Sequence, residues 1–449
     1  MLENKRIDEY RRILKMNSQL SRCSELCLSE QGNALNDQTL YHLVMMPTLI
    51  SFVEWTLNKA QEDGVERLYF LARDGFQMYL IAEQLCKKAG ISIECRYLYG
   101  SRYAWRVPQY HLDITNAIDK MCLGGINVTF EMVMKRGGLN EQEAKEVAEL
   151  TGYADVFYKK MSYQQVQQLK SVLLGCEVLI GYIKNHSLKV YESTIGYLRQ
   201  EGLFDSIQYA VVDSGWVGSL QETLQHLLFS AGKTEEIKGY YFGLYEIPKK
   251  MKREQYDAFY FDDRSRISHK VNFSNCLFET VFTALDGMTL YYERKNERYV
   301  PVMETKKNPN EKALEKNLGY LEKYLENYEP ENHDVSKNRQ LVYELLKRFM
   351  GNPTLKEVTI FGNYEFSDDV LALSMQKVAA SITDQQIRQQ RVINKLLVMT
   401  GIRKTEIQES AWIEGSIVRG EKRVTYNLIH AKLYKWAVYL RKSLRRRIK

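Results

Sequence analysis

Paired cysteines, clustered histidines and prolines are all scarce in this chain, and each scarcity removes a class of protein. Seven prolines in 449 residues leave little room for rigid linkers. The seven cysteines, at positions 23, 27, 86, 95, 122, 176 and 276, form no CxxC unit. Neither a zinc site nor a disulfide framework is therefore indicated, and a reducing, cytoplasmic setting is expected. The seven histidines show no metal-ligand spacing, and His42 and His226 read as core or rim residues of apolar helices. No eighteen apolar residues run uninterrupted, and the opening MLENKRIDEYRRILKMNS is charged throughout, so neither a membrane span nor export by a signal peptide is expected. Neither a complete Walker GxxxxGK[ST] loop nor the GxGxxG dinucleotide fingerprint is present. Asn127-Val128-Thr129 matches a glycosylation acceptor, which in a cytoplasmic protein is a chance tripeptide.

What remains is ordinary globular material, with 45% hydrophobic and 27% charged residues. The length exceeds what one hydrophobic core usually serves, so one elaborated domain or two to three domains are the options. The net charge of +7 is modest and gives no reason to expect a nucleic-acid partner. It is concentrated at one end: the last nineteen residues hold eight Lys or Arg and no acid, with Leu433, Trp436, Tyr439 and Leu440 at helical spacing. Such a helix can lie on an anionic membrane surface, here the inner face, or pack its apolar stripe on the body of the protein.

Periodicity divides the chain into three regions. Residues 1–63 read as helical, with Leu43, Met46, Ile50, Val53 and Leu57 on one face and Pro47 at a helix start or kink. Residues 64–304 read as an α/β domain. There, Leu68 to Ala72 is an apolar strand broken by Arg73-Asp74-Gly75, a helix follows from Phe76 to Lys88, and Ile91 to Tyr99 is a second strand ending in Gly100-Ser101-Arg102. That is a βαβ unit of a parallel sheet covered on both faces. A polar, helical insertion spans about 110–205, and further strands are expected at Ala210 onward, Ile237 to Leu244, about 257–261 and Met288 to Tyr292. Beyond Lys306-Lys307 the chain reads as helical, giving a C-terminal helical region from 305 to 449 with the basic tail.

The stretch AVVDSGWVGSL carries the most chemistry. Its strand is expected to end at Asp213, and Ser214, Gly215, Trp216, Val217, Gly218 and Ser219 would form a turn at the start of a helix. Gly215 and Gly218 let backbone approach an anion, and Ser219 adds a hydroxyl. Asp213 would accept hydrogen bonds from sugar hydroxyls or hold hydrated Mg²⁺. The pattern suits a phosphorylated sugar; the plainer reading is tight strand-to-helix packing. Arg73 and Asp74 likewise read as site residues or as a mutual pair or helix cap, and Arg102 as a ligand or a surface charge. Tyr99, Tyr103 and Trp105 could stack on sugars or fill the core.

This stretch resembles the phosphoribosyl-pyrophosphate loop of type I phosphoribosyltransferases. In that family the turn wraps the 5-phosphate, an earlier turn grips pyrophosphate, matched by Arg73-Asp74-Gly75, and a basic mobile loop follows the next strand, matched by Ser101-Arg102. More closely, FLARDG, YLYGSR and VVDSGWVGS resemble a domain of bacterial polysaccharide-biosynthesis proteins, often fused to a haloacid-dehalogenase-type phosphatase. The resemblance covers roughly residues 40–295. It implies a mostly parallel sheet of type I phosphoribosyltransferase kind and transfer of ribofuranose 5-phosphate onto a glycan acceptor, which can be lipid-linked. Mg²⁺, Arg73 and Arg102 would neutralise the departing pyrophosphate, and Asp74 or Glu279 would serve as general base. Two departures stand out: Asp213 is followed by Ser214 where the family usually has a second acid, and Trp216 is bulkier than expected. The phosphatase is absent from this chain, so a separate one is required. The alternatives are a non-catalytic phosphosugar or nucleotide sensor, or a phosphatase of the haloacid-dehalogenase kind; the latter needs a second aspartate where Gly215 stands.

Overall fold

The computed structural model describes residues 2–28, 34–125, 128–306, 308–330, 335–367, 375–399, 402, 407 and 410–447. Asn127 and Lys307 lie outside the described residues. Five parallel strands form the central sheet: β1 (Arg67–Leu71), β2 (Glu94–Leu98), β3 (Tyr209–Trp216), β4 (Lys238–Leu244) and β5 (Tyr256–Phe261), in the order β2-β1-β3-β4-β5. The chain is thus an α/β protein with an all-parallel sheet and many helices. The apolar runs need both faces covered, and they are. Leu68, Phe70, Ala210, Val212 and Phe242 face one core, and Tyr69, Leu71 and Val211 face another against Leu224, Leu227 and Leu228. Alternation within each strand sends successive side chains to opposite sides.

The helix Gly75–Ala89 links β1 to β2 and ends at Gly90, whose φ of +64° suits the left-handed cap. Between β2 and β3 the chain is helical, from Arg102–Arg106 through Glu177–Gln200, and much of it encloses a cluster of its own around Val133, Val147, Leu169 and Ile183. The strand expected at Met288 to Tyr292 is one arm of a separate antiparallel hairpin, β6 (Thr289–Lys295) with β7 (Arg298–Met303). The C-terminal region also departs from pure helix, since Glu365–Phe366 pairs with Gln376–Lys377.

The first core is shared by all three regions, joining Ile7 and Leu49 to Phe70 and to Val342 and Trp412. The helical stretch Asp37–Glu62 would be apolar enough to cross a membrane, but 94% of that window is buried within the fold, so it serves as a core helix. Near it, helix Leu2–Leu14 is tied to helix Leu355–Phe361 by a buried ion pair. Arg6 donates through Nε and Nη2 to the Glu357 carboxylate at 2.9 and 3.0 Å, and Tyr10 Oη donates to the same group at 2.5 Å. Removing one partner of such a pair leaves the other charge buried and unmet. Glu357→Ala is expected to cost about 3–5 kcal/mol in urea unfolding; an unchanged midpoint would show that this contact does not hold the terminal regions together.

Candidate functional site

The sheet order reverses direction between β1 and β3, and ligands of open α/β sheets bind outside the carboxyl ends of strands at such a switch. The pairing of β1 with β3 stops at Phe70–Val212, whereas β3 continues beside β4 through Gly215–Gly243 and Trp216–Leu244. The chain after β1 turns away at Ala72–Arg73, a cis peptide, and a cleft of about 350 Å³ opens there. Arg73, Asp74, Ser101, Arg102, Asp213, Ser214, Gly215, Trp216, Ser219 and Glu279 all line it. The three segments singled out in the sequence therefore converge on one rim.

Local geometry corrects the expected turn. Asp213 is not the last residue of its strand, because Ser214, Gly215 and Trp216 continue β3. The turn is only Val217 and Gly218, and the helix Ser219–Ser230 starts at once. Gly215 is required by packing: a Cβ there would lie 2.5 Å from the Gly243 carbonyl oxygen. Gly75, Val217 and Gly218 do not line the cleft. A Cβ on Gly75 would meet the Phe70 backbone at 2.9 Å, one on Gly218 would meet Tyr256 at 2.5 Å, and Val217 is exposed. Ser101 lines the cleft, but its hydroxyl caps helix Arg102–Arg106 by accepting from Ala104 N and donates to the Thr289 carbonyl.

Three carboxyl groups gather in the cleft. Ser214 Oγ donates to Asp74 at 2.5 Å, locking the turn after β1 to β3, and the Trp216 indole N–H donates to Glu279 of helix Asn275–Phe282. The nearby Ser214 and Gly215 backbone amides favour the ionised form of Asp213. Burial is the main cause that pushes all three pKa values up; it raises Asp74, moves Asp213 to about 7 and Glu279 to about 8. The charge of Asp74 raises the other two further, while Arg102 opposes the shift at each. Arg73 also favours the ionised form of Asp74. Carboxyls with values near neutrality in a cleft suit proton transfer.

Trp216 explains its own bulk. It takes a left-handed φ of +72°, held by Tyr245 N donating to its carbonyl at 2.6 Å and by rings of Phe273 and Phe278 around the indole. Tolerated strain of this kind marks over-determined positions. Tyr99, Tyr103 and Trp105 lie outside the cleft lining; Trp105 is buried and donates to Tyr292 Oη at 2.8 Å, a core role.

Two features escaped sequence reasoning. A smaller chamber of about 130 Å³ adjoins the cleft and shares Arg73, Asp74, Glu279, Phe366 and Ser367 with it, and Asp286 and Lys306 also line it. Arg106, one turn after Arg102, is buried with its Nε unpartnered. Burial and the nearby Arg102 and Arg136 hold it below the usual arginine range, only partly offset by Tyr110 and Glu222. Lys120 is lowered too, by burial first and then by Arg106. The spacing of Arg102 and Arg106 was a readable hint, but the surrounding excess of cations needed the fold.

Hard oxygen donors of this kind suit Mg²⁺. Among the described residues no group of three or more His, Cys, Asp or Glu side chains stands in ligating arrangement, so no all-protein cage exists. Mg²⁺ commonly binds through one or two carboxylates plus substrate phosphate oxygens, and Asp213 fits that role. The chain matches no protein-family model and no curated protein.

The raised carboxyls have a stability consequence. Glu279 holds its proton to about pH 8 when folded but only to its ordinary 4.5 when unfolded. Unfolding then releases a proton between those values, so stability falls as pH rises from about 4.5 to about 8. Urea unfolding at pH 5 and pH 8 is expected to show this decline, and Glu279→Gln should flatten it. An equal slope in both proteins would refute the assignment.

Proposed function

We propose that the chain transfers ribofuranose 5-phosphate from phosphoribosyl pyrophosphate to a glycan acceptor in the cytoplasm, as a transferase of type I phosphoribosyltransferase kind. The helical segment between β2 and β3 is then the insertion of that fold. A single observation carries the reading: two adjoining chambers meet at Arg73, Asp74 and Glu279. The larger takes the donor and the smaller the acceptor hydroxyl, so that bond exchange occurs at the carboxylates between them. A sensor needs only one chamber.

Each residue has a task in that reaction. The bond from C1 of the ribose to the pyrophosphate oxygen breaks, and pyrophosphate leaves with its electron pair. Arg73 and Arg102 meet the developing charge, and the cation excess around Arg106 favours anions on that side of the cleft. Asp213 orients the ribose hydroxyls and would hold Mg²⁺. When bound, the metal supplies further charge neutralisation to the diphosphate. The acceptor oxygen bonds to C1, and its proton passes to Asp74 or Glu279. Ser214 and Trp216 keep these carboxyls aimed. The phosphate stays on the product and requires a separate phosphatase.

Incubation with phosphoribosyl pyrophosphate, Mg²⁺ and a panel of glycans is expected to release pyrophosphate only when an acceptor is present. Asp213→Asn and Arg73→Met should each lower kcat/KM by about a hundredfold or more, since a positioned charge typically contributes a few kcal/mol to the transition state. Binding without turnover on any acceptor would favour a sensor, and phosphate release from phosphosugars would favour a phosphatase. A further expectation concerns pH: if Glu279 is the base, kcat/KM should rise as pH increases through about 8, and Glu279→Gln should remove that limb.

A further inference from the structure

The helix Val424–Arg447 is attached to the body by one face and leaves an apolar stripe on another. Its attached face is clear. Tyr439 stacks on Tyr245 with ring centroids 5.5 Å apart, Lys435 Nζ donates to the buried Glu414 at 2.6 Å, and Lys432 Nζ donates to Asn352 at 2.7 Å. Ala431 and Ser443 are buried along the same side. Packing on the body therefore uses Val424, Leu428, Ala431 and Tyr439, with Lys432 and Lys435 bonded alongside, and not Leu433, Leu440 or Leu444.

Three leucines further along face outward with an isoleucine and a tryptophan. Ile429, Leu433, Trp436, Leu440 and Leu444, spaced i, i+4, i+7, i+11 and i+15, are exposed by 53%, 49%, 38%, 44% and 57%. A stripe of that spacing holds one line along a helix surface. Large side chains left in water over some four turns cost free energy that a surface helix normally avoids by burying them.

The charges identify what covers the stripe. From Ala431 onward the chain carries eight Lys or Arg and no acid. Arg441 is exposed beside Leu440, and the exposed Lys442 donates to Glu246 of the body at 2.9 Å. An amphipathic helix with an apolar line and basic flanks lies in the interface of an anionic bilayer, with its leucines and tryptophan among the acyl chains and its cations at the headgroups. A protein partner would need an acidic groove of matching length; a lipid surface needs only negative charge and an apolar interior. We propose that Val424–Arg447 docks the protein onto an anionic membrane surface through Ile429, Leu433, Trp436, Leu440 and Leu444.

The position of the helix gives the docking a use. Tyr245, on which Tyr439 stacks, has its ring centroid 6.2 Å from that of Trp216, and Trp216 lines the cleft and bonds Glu279. One aromatic layer separates the membrane-facing helix from the cleft wall. A lipid-linked acceptor would thereby be held close to the carboxyls, although docking itself stands without the transfer reading and is tested without any sugar.

The test is co-sedimentation of the full chain with vesicles of phosphatidylcholine alone or mixed with phosphatidylserine. Binding is expected to the mixed vesicles, to weaken as salt rises, and to fall by about tenfold or more in Leu433→Glu/Leu440→Glu, because two apolar contacts are replaced by charges repelled by the lipid. Both positions are exposed, so the thermal midpoint should not change. Arg441→Glu alone should weaken binding to the mixed vesicles only. Absence of binding, equal binding to both vesicle types, or binding untouched by the double variant overturns the proposal. So does a dimer in size-exclusion chromatography that the double variant dissociates, since the stripe would then belong to a second copy.

Discussion

The central constraint is the parting of β1 from β3. Their ladder holds from Arg67–Tyr209 to Phe70–Val212 and then ends, while β3 stays paired with β4 for another four residues. A strand bonded on one side only presents its other edge to whatever lies beyond. Here that edge carries Asp213 and Ser214, and the chain leaving β1 brings Arg73 and Asp74 back toward it. The Ser214–Asp74 hydrogen bond spans the gap. Every other contribution to the cleft, from Arg102 after β2 to Glu279 from a later helix, is placed relative to this fork.

The fork concentrates charge at a cost. Three carboxyls share a poorly solvated space, and burial with mutual repulsion keeps Asp213 and Glu279 protonated up to values near neutrality. A fold selected only for stability would replace them with apolar groups, as buried charges seldom improve on well-packed hydrophobes. Across the Arg102–Arg106 helix the imbalance has the opposite sign, with Arg106 buried and its Nε unmatched. Protonated carboxyls in the cleft and unmatched cations around Arg106 thus meet at Arg102, which interacts with both groups. The same polarity makes the cleft expensive to keep empty, which is why its titration is expected to appear in unfolding.

The terminal regions are not appendages to that site. Residues of the first and last regions complete the core beneath one face of the sheet, and the Arg6–Glu357 pair links them directly. Through Tyr439, Tyr245 and Trp216 the last helix is also mechanically connected to the cleft wall.

Much of this was legible in the residues, for identifiable reasons. Fully buried parallel strands need near-continuous apolar runs, so β1, β3 and β4 announced themselves, and the breaks at Arg73-Asp74-Gly75 and Ser101-Arg102 marked their carboxyl ends. The candidate residues Arg73, Asp74, Arg102, Asp213 and Glu279 could be picked out because strand ends and helix starts are where such a sheet binds ligands. The end of β3 was misjudged at Asp213, because glycine signals a turn locally while Gly215 is needed for close approach to Gly243, a contact with no local trace. The second chamber and the unmatched Arg106 were likewise invisible, as both arise from segments distant in the chain. By itself the sequence determined the existence of the five strands of the central sheet, the charged residues near their ends, and the amphipathic character of the last helix, since these follow from periodicity and residue type. Only the tertiary structure decided which carboxyls share one space, and that Tyr439 rather than the leucine stripe faces the body, because long-range packing chooses among faces that local pattern leaves equivalent.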